Sequence, residues 1–267
     1  MREKAAKLGL AIAILAVVCT IAVSQEAGPR AKKAGGKYFV HDMDEPRPPV
    51  VQAGETSSQP PSDAIVIFNG KNTDELSDEG GNPTKWIIND EGALECTKKA
   101  GTVRTKKDFG SIQLHIEWAT PKQVVGSSQG RGNSGVFLQG TYEVQVLDCY
   151  DNDTYPDGQA GSIYGQKKPL VNVCKAPGEW QTYDIVYHRP IFKDKTDEVI
   201  RPGTATLFLN GVLVQDNWPI KGITYHNRTA DYHYHADKLP IKLQDHGNAI
   251  RYRNIWIREI DDIPATE

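Results

Sequence analysis

The chain has 267 residues, 31 of them basic and 34 acidic, for a formal net charge of −3. That balance excludes a nucleic-acid partner, because phosphate backbones demand concentrated positive charge. The length leaves room for one ordinary domain plus flanking segments.

The first residues address the chain to a compartment. "MREKAAK" is short and charged, "LGLAIAILAVVCTIAV" is apolar, and Ala22-Val23-Ser24 places small residues where a signal peptidase cuts. Residues 1–24 therefore read as a secretory signal peptide. The apolar run, Leu8 to Val23, is 16 residues, short for a spanning helix. A retained N-terminal anchor is the alternative. Cleavage leaves 28 basic and 33 acidic residues, net −5, with no membrane span after it. A secreted or periplasmic protein with a neutral or weakly polar ligand is expected.

Residues 25–62 are rich in Pro, Gly, Lys, Ser and Gln and read as a disordered linker or tail. The folded domain is expected over residues 63–262. From "AIVIFNG" onward the pattern is of short strands with period-2 alternation, bounded by Gly, Pro, Asn or Asp. Asn210-Gly211, between "TATLFL" and "VLVQD", is a two-residue hairpin signal. Many short, evenly spaced strands mean an all-β sandwich or barrel. Three cysteines survive signal cleavage: Cys96, Cys149 and Cys174. An oxidising compartment favours one bridge, Cys149–Cys174, since both flank one loop region. Three buried thiols are the alternative.

Two strands carry unusual polar faces. In "SIQLHIEW", Ile112, Leu114, Ile116 and Trp118 alternate with Gln113, His115 and Glu117. In "TYEVQVLD", Val144 and Val146 alternate with Glu143 and Gln145. His, Glu and Gln suit hydroxyl recognition and proton transfer. Two such strands side by side would form a cleft floor, and a solvated outer face is the bland alternative.

Several separated motifs now resemble one family. "GNSGVFLQGTYEVQVLDCYDN", "YPDGQAGSIYGQKKPLVN", "PGEWQTYDIVYHRP", "LFLNGVLVQDN" and "IKLQDHGNAIRYRNIWIRE" are similar to the 3-keto-disaccharide hydrolase domain family, over about residues 63 to 260. The resemblance implies a concanavalin A-like jelly roll of two antiparallel sheets. It implies a secreted or periplasmic enzyme that cleaves glycosides oxidised to a ketone at C3. A non-catalytic carbohydrate-binding sandwich of the envelope is the rival reading.

A C3 ketone acidifies the hydrogen on C2, so a base, a stabiliser for the enolate oxygen and an acid for the leaving group would suffice. Glu143 is the candidate base, with His115 and His246 as further catalytic candidates. Gln145 stands where a glycosidase strand would carry a second carboxylate, and an amide cannot shuttle a proton. Gln145 and Gln244 are candidates for holding sugar hydroxyls. Glu117, Arg131, Asn133 and Lys167 complete the expected substrate-binding set. A divalent cation on His115, Glu143 or His246 would polarise the ketone, though no compact ligand motif demands one. Asp245 reads as a turn residue, Asp148 as a strand end, and His233–His235 as a polar loop. Trp86, Trp118 and Trp256 are expected in the core.

Overall fold

The computed structural model describes residues 30–33 and 35–263. The signal-peptide reading of residues 1–24 lies outside the described residues. Two compact units divide the chain, residues 1–50 and 51–267. In the first, Lys32 bridges Phe39, Lys33 pairs with Glu45, and the Asp42 carboxylate accepts from the backbone of Phe39 and Asp44.

Apart from two single 3-10 turns, the regular elements of the second unit are all strands, joined by long irregular loops. The first eight are β1 (Ile65–Phe68), β2 (Leu76–Asp78), β3 (Ile87–Ile88), β4 (Leu94–Glu95), β5 (Val103–Thr105), β6 (Ile112–Ala119), β7 (Ser134–Leu138) and β8 (Tyr142–Val146). Then come β9 (Gln181–His188), β10 (Ile191–Phe192), β11 (Val199–Arg201), β12 (Thr204–Leu209), β13 (Val212–Pro219), β14 (Lys242–Leu243) and β15 (Arg251–Glu259). An eight-stranded sheet runs β13-β12-β9-β6-β15-β4-β3, with β1 also paired to β15. A five-stranded sheet runs β2-β5-β14-β7-β8. Every pairing is antiparallel, so the architecture is a concanavalin A-like jelly-roll sandwich. The β12–β13 hairpin turns at Asn210 and Gly211, with φ of 53° and 78°, as a two-residue turn of this hand requires.

Alternation explains the core. Leu114, Ile116 and Trp118 of β6 and Ile185 of β9 are 0% exposed, as are Val136 of β7 and Val144 and Val146 of β8. Burying one such side chain contributes roughly 2 kcal/mol. Three tyrosines of the large sheet end in hydroxyls that need partners and find them across the core. Tyr183 donates to the Gln145 carbonyl (2.6 Å), Tyr187 to Gln139 Oε1 (2.8 Å) and Tyr252 to Ser134 Oγ (2.7 Å).

Two expectations change here. β6 and β8 are not neighbours: they lie in different sheets, with their apolar faces turned to the shared core. Their polar faces therefore point away from each other, because side chains on one strand alternate sides. Cys149 and Cys174 are free thiols, so the anticipated bridge is not formed. The Ala160 N–H donates to Cys149 Sγ at 3.1 Å.

Trp86 and Trp118 are buried in the core. Trp256 is buried too, but on the outer face, opposite His115 in register. Its indole N–H donates to the Ser58 carbonyl at 3.1 Å. Residues 51–62 thus hold contacts with the sheet: Gln52 and Ser62 exchange backbone and hydroxyl hydrogen bonds, and Ser58 caps Asn254 and Trp256.

Candidate active site

β8 is the edge strand of the smaller sheet, and unpaired edges need cover. Here the loop at residues 161–164 supplies it. The N–H of Gln145 donates to the Ser162 carbonyl (3.1 Å), Gly161 N–H to the Gln145 carbonyl (3.0 Å) and Tyr164 N–H to the Glu143 carbonyl (3.1 Å). The Glu143 N–H donates to Thr224 Oγ1 at 3.0 Å. These bonds bring Tyr164 and Thr224 to the polar side of β8. All five β8 residues are consequently buried, on both faces.

On that side lies a cavity of about 460 Å³, lined by Gln129, Asn133, Phe137, Glu143, Gln145, Tyr155, Tyr164, Thr224, His226, Gln244 and His246. Glu143 is its one carboxylate. Glu143 is 5% exposed, and burial, with no cation to compensate, pushes its carboxyl up to about 8. Space for it comes from β7. Gly135 lies beside Glu143, and a Cβ there would collide with Glu143 Oε1 and crowd Phe137.

Amides surround the acid. Gln145 Nε2 donates to Gln129 Oε1 (3.1 Å) and Asn133 Oδ1 (3.2 Å). Asn133 Nδ2 donates to the Gln129 carbonyl (2.7 Å), and Gln129 Nε2 is fixed on Thr154 Oγ1 and the Gly158 carbonyl. Gln145 Oε1 and Gln244 Oε1 are buried without protein partners. Unpaired buried acceptors call for an explanation, and two on one cavity wall fit ligand hydroxyls. A relay closes the rim: the Tyr155 and Tyr164 hydroxyls share a 2.6 Å hydrogen bond, and the Tyr164 hydroxyl lies 3.1 Å from His226 Nδ1. Burial, reinforced by the bond to Tyr164, keeps the Tyr155 phenol far above its ordinary value.

Of the residues chosen from sequence, Glu143, Gln145, Asn133, Gln244 and His246 meet in this cavity. His115, Glu117, Arg131 and Lys167 do not line it. His115 and Glu117 occupy the outer face of the large sheet. His115 Nδ1 is 2.6 Å from Asp184 Oδ1, its ring stacks on Trp256, and its Nε2 faces Glu117 Oε1 at 3.6 Å. Glu117 also accepts from Arg253 (2.6 Å) and Asn254 (2.9 Å). Burial disfavours protonation of His115, but the bonds to Asp184 and Glu117 outweigh it and hold the imidazole up at about 9. Burial likewise opposes ionisation of Glu117, yet His115, Asn254 and Arg253 hold it down at about 2. This is a satisfied ion-pair network, not a second half of the cleft.

Arg131 is spent on its own loop. Its Nε binds Asp148 Oδ2 (2.7 Å), and its terminal nitrogens bind the carbonyls of Asp151 and Tyr150. Lys167 Nζ sits 4.5 Å over the Trp218 ring. Of the three residues considered for a cation, His115, Glu143 or His246, the last two line the cavity and His115 is on the opposite face of the sandwich. Among the described residues no three His, Cys, Asp or Glu side chains converge to hold a metal ion. Asp245 does serve a turn, accepting from Gly247 N–H and Gly101 N–H. Sequence reasoning missed Gln129, Phe137, Tyr155, Tyr164, Thr224 and His226. Most sit on loops without periodicity, but Gly135 two residues before Phe137 was a readable sign of a crowded neighbour.

Comparison with known proteins places this geometry. Residues 63–258 match the 3-keto-α-glucoside-1,2-lyase-like domain. A 3-keto-disaccharide hydrolase of Bacteroides thetaiotaomicron is 27% identical, over 79% of this chain and 84% of that protein. A crystal structure from Parabacteroides distasonis, with a provisional glycosyl hydrolase assignment, is 43% identical with a TM-score of 0.78, covering 86% of this chain and all of that one. A second from the same organism, at 18% identity and a TM-score of 0.52 over 74% of this chain and 94% of that one, shares the fold. The chain belongs to the 3-keto-α-glucoside-1,2-lyase-like domain family, a carbohydrate-active family.

Proposed function

We propose that the chain cleaves 3-keto-glycosides, with Glu143 as the base that takes the C2 proton, in a secreted or periplasmic location. The observation that carries the reading is a lone buried carboxyl, held at about 8, on the floor of an amide-lined cavity. A two-carboxylate glycosidase mechanism lacks its second acid among the lining residues. A carbon acid next to a ketone needs a base stronger than an ordinary carboxylate, and desolvation provides that.

The steps balance as an elimination and a hydration. Glu143 accepts the C2 proton, and the electron pair of that C–H bond flows into the C3 carbonyl to give an enolate. The enolate collapses, a C1–C2 double bond forms, and the C1–O bond to the leaving group breaks. The departing oxygen takes a proton. His246, or the Tyr164–His226 pair, stands on the rim as its donor. Water then adds at C1, with a proton returned to C2, and releases the 3-keto sugar. The free acceptors on Gln145 and Gln244 would receive sugar hydroxyls and set the ring so that C2–H faces Glu143.

Incubation with a 3-keto-glucoside tests the reading. Wild type should release the leaving group well above the spontaneous rate, and Glu143→Gln should lose about 10²- to 10⁴-fold in kcat. No release by wild type overturns the function. Equal rates for wild type and variant overturn the role of Glu143.

A further inference from the structure

A second cavity, of about 560 Å³, adjoins the first. Tyr155 and Tyr164 line both, so the hydrogen-bonded tyrosine pair is a shared wall. Beyond that wall the lining is Asp157, Gln166, Lys221, Tyr225, Asn227 and Arg228, with small residues between. Its chemistry differs from the amide-lined floor around Glu143. The guanidinium of Arg228 lies 3.9 Å from the centre of the Tyr225 ring. The ammonium of Lys221 lies 5.6 Å from the centre of the Trp218 ring, which stands outside this lining.

These cations have no carboxylate partner. Lys221 and Arg228, the two cations on the lining, form no ion pair among the described residues, although the chain carries more acids than bases. Asp157, in the same cavity, is also unpaired and is the one negative group on its lining. A concave, ring-walled space with a surplus of unpaired positive charge, next to the proposed point of bond cleavage, has a definite preference. Aromatic rings offer flat faces to a sugar, and the cations attract an anion through a partly screened field.

We infer that this second cavity is the leaving-group subsite and that it takes an anionic unit, a sugar bearing a carboxylate, sulfate or phosphate. The inference rests on the 3-keto-glycoside reading for its place in the reaction, but the binding preference stands on the cavity itself. The substrate class becomes a 3-keto-glucosyl unit joined to an acidic sugar, rather than a neutral disaccharide.

The test compares 3-keto-glucosides whose leaving group is glucose, glucuronic acid, glucose 6-sulfate or glucose 6-phosphate. At low salt the wild type should show a roughly fivefold lower KM for an acidic leaving group, consistent with two part-exposed ion pairs, and the advantage should shrink as salt rises. Lys221→Gln with Arg228→Gln should abolish the advantage, bringing acidic and neutral substrates to the same KM, while the Glu143 cavity keeps all its lining residues. The acid that gains most identifies the natural charge carrier. Equal KM for neutral and acidic substrates in wild type overturns the inference, as does an advantage that survives in the double variant. If wild type cleaves none of these compounds, the catalytic reading fails separately. The subsite is then read by calorimetric titration of Glu143→Gln with cellobiose and with its uronic acid analogue. Tighter binding of the acid, lost on removing Lys221 and Arg228, upholds the subsite, and indifference to charge or no binding sinks it.

Discussion

Glu117 on β6 and Glu143 on β8 are equally buried, each 5% exposed, on strands of the same alternating pattern. Their carboxyls nonetheless move in opposite directions, to about 2 and about 8. The difference is company. Glu117 meets Arg253, Asn254 and a protonated His115, so ionisation is favoured despite the lost water. Glu143 has no partner for either carboxylate oxygen, and desolvation acts alone. Burial of a polar strand face is therefore no sign of function by itself. An unsatisfied face over an open cavity is.

The sharpest way to break this comparison is to alter both acids. Glu143→Gln should remove activity, and wild-type kcat/KM should climb as pH rises through about 8, up to roughly tenfold per pH unit on the acid side, because the base must lose its proton. An acid limb near the ordinary glutamate range would sink the assignment. Since the folded-state value of Glu143 is raised, wild-type stability should fall as pH rises from the usual carboxylate range through about 8, and Glu143→Gln should lose that slope. Denaturant titrations at pH 6 and pH 9 read it.

Gly135→Ala comes next. The new methyl group would push against Glu143 Oε1, and a misplaced base costs about 10²-fold in turnover. Overpacking should also cost about 1–3 kcal/mol of stability by denaturant midpoint. Glu117→Gln reverses the pattern: about 2–3 kcal/mol of stability lost at pH 7, with turnover per folded molecule within about twofold of wild type. The depressed Glu117 value means that this stability is present above the ordinary glutamate range and disappears as pH falls through about 2. The raised His115 value means that its share is present below the ordinary histidine range and is lost as pH rises through about 9. Loss of turnover in a well-folded Glu117→Gln protein would make the outer cluster functional. The smallest effect belongs to Tyr183→Phe, which removes one of the two donors to the Gln145 carbonyl and should cost about 1 kcal/mol in unfolding experiments with a modest rise in KM.

Much of this was legible in the sequence. Period-2 alternation in "SIQLHIEW" and "TYEVQVLD" gave the strands and their inward faces, and Asn210-Gly211 gave a hairpin, because these are local properties of the chain. Parity also singled out Glu143 and Gln145. What failed was adjacency. Which strand pairs with which depends on contacts distant in sequence, and β6 lies beside β9 and β15 while β8 lies beside β7. Nothing local in His115 announces Asp184 or Trp256. Arg131 looked available until Asp148, 17 residues on, proved to hold it. The rim residues Tyr155, Tyr164 and His226 come from irregular segments, where no periodic signal exists to read.

The hydroxyl of Tyr183 bolts the backbone of Gln145 to the opposite sheet, and Tyr252 and Tyr187 tie down the side chains of Ser134 and Gln139 across the same core. The cavity floor is thereby built into the most rigid part of the protein, while its rim hangs on loops. Such a division of labour makes the cavity floor hard to alter and the rim cheap to alter. Under the proposed function, descendants of this sequence would change which sugar they accept by editing the segments around Tyr164 and Arg228, leaving Glu143 where it stands.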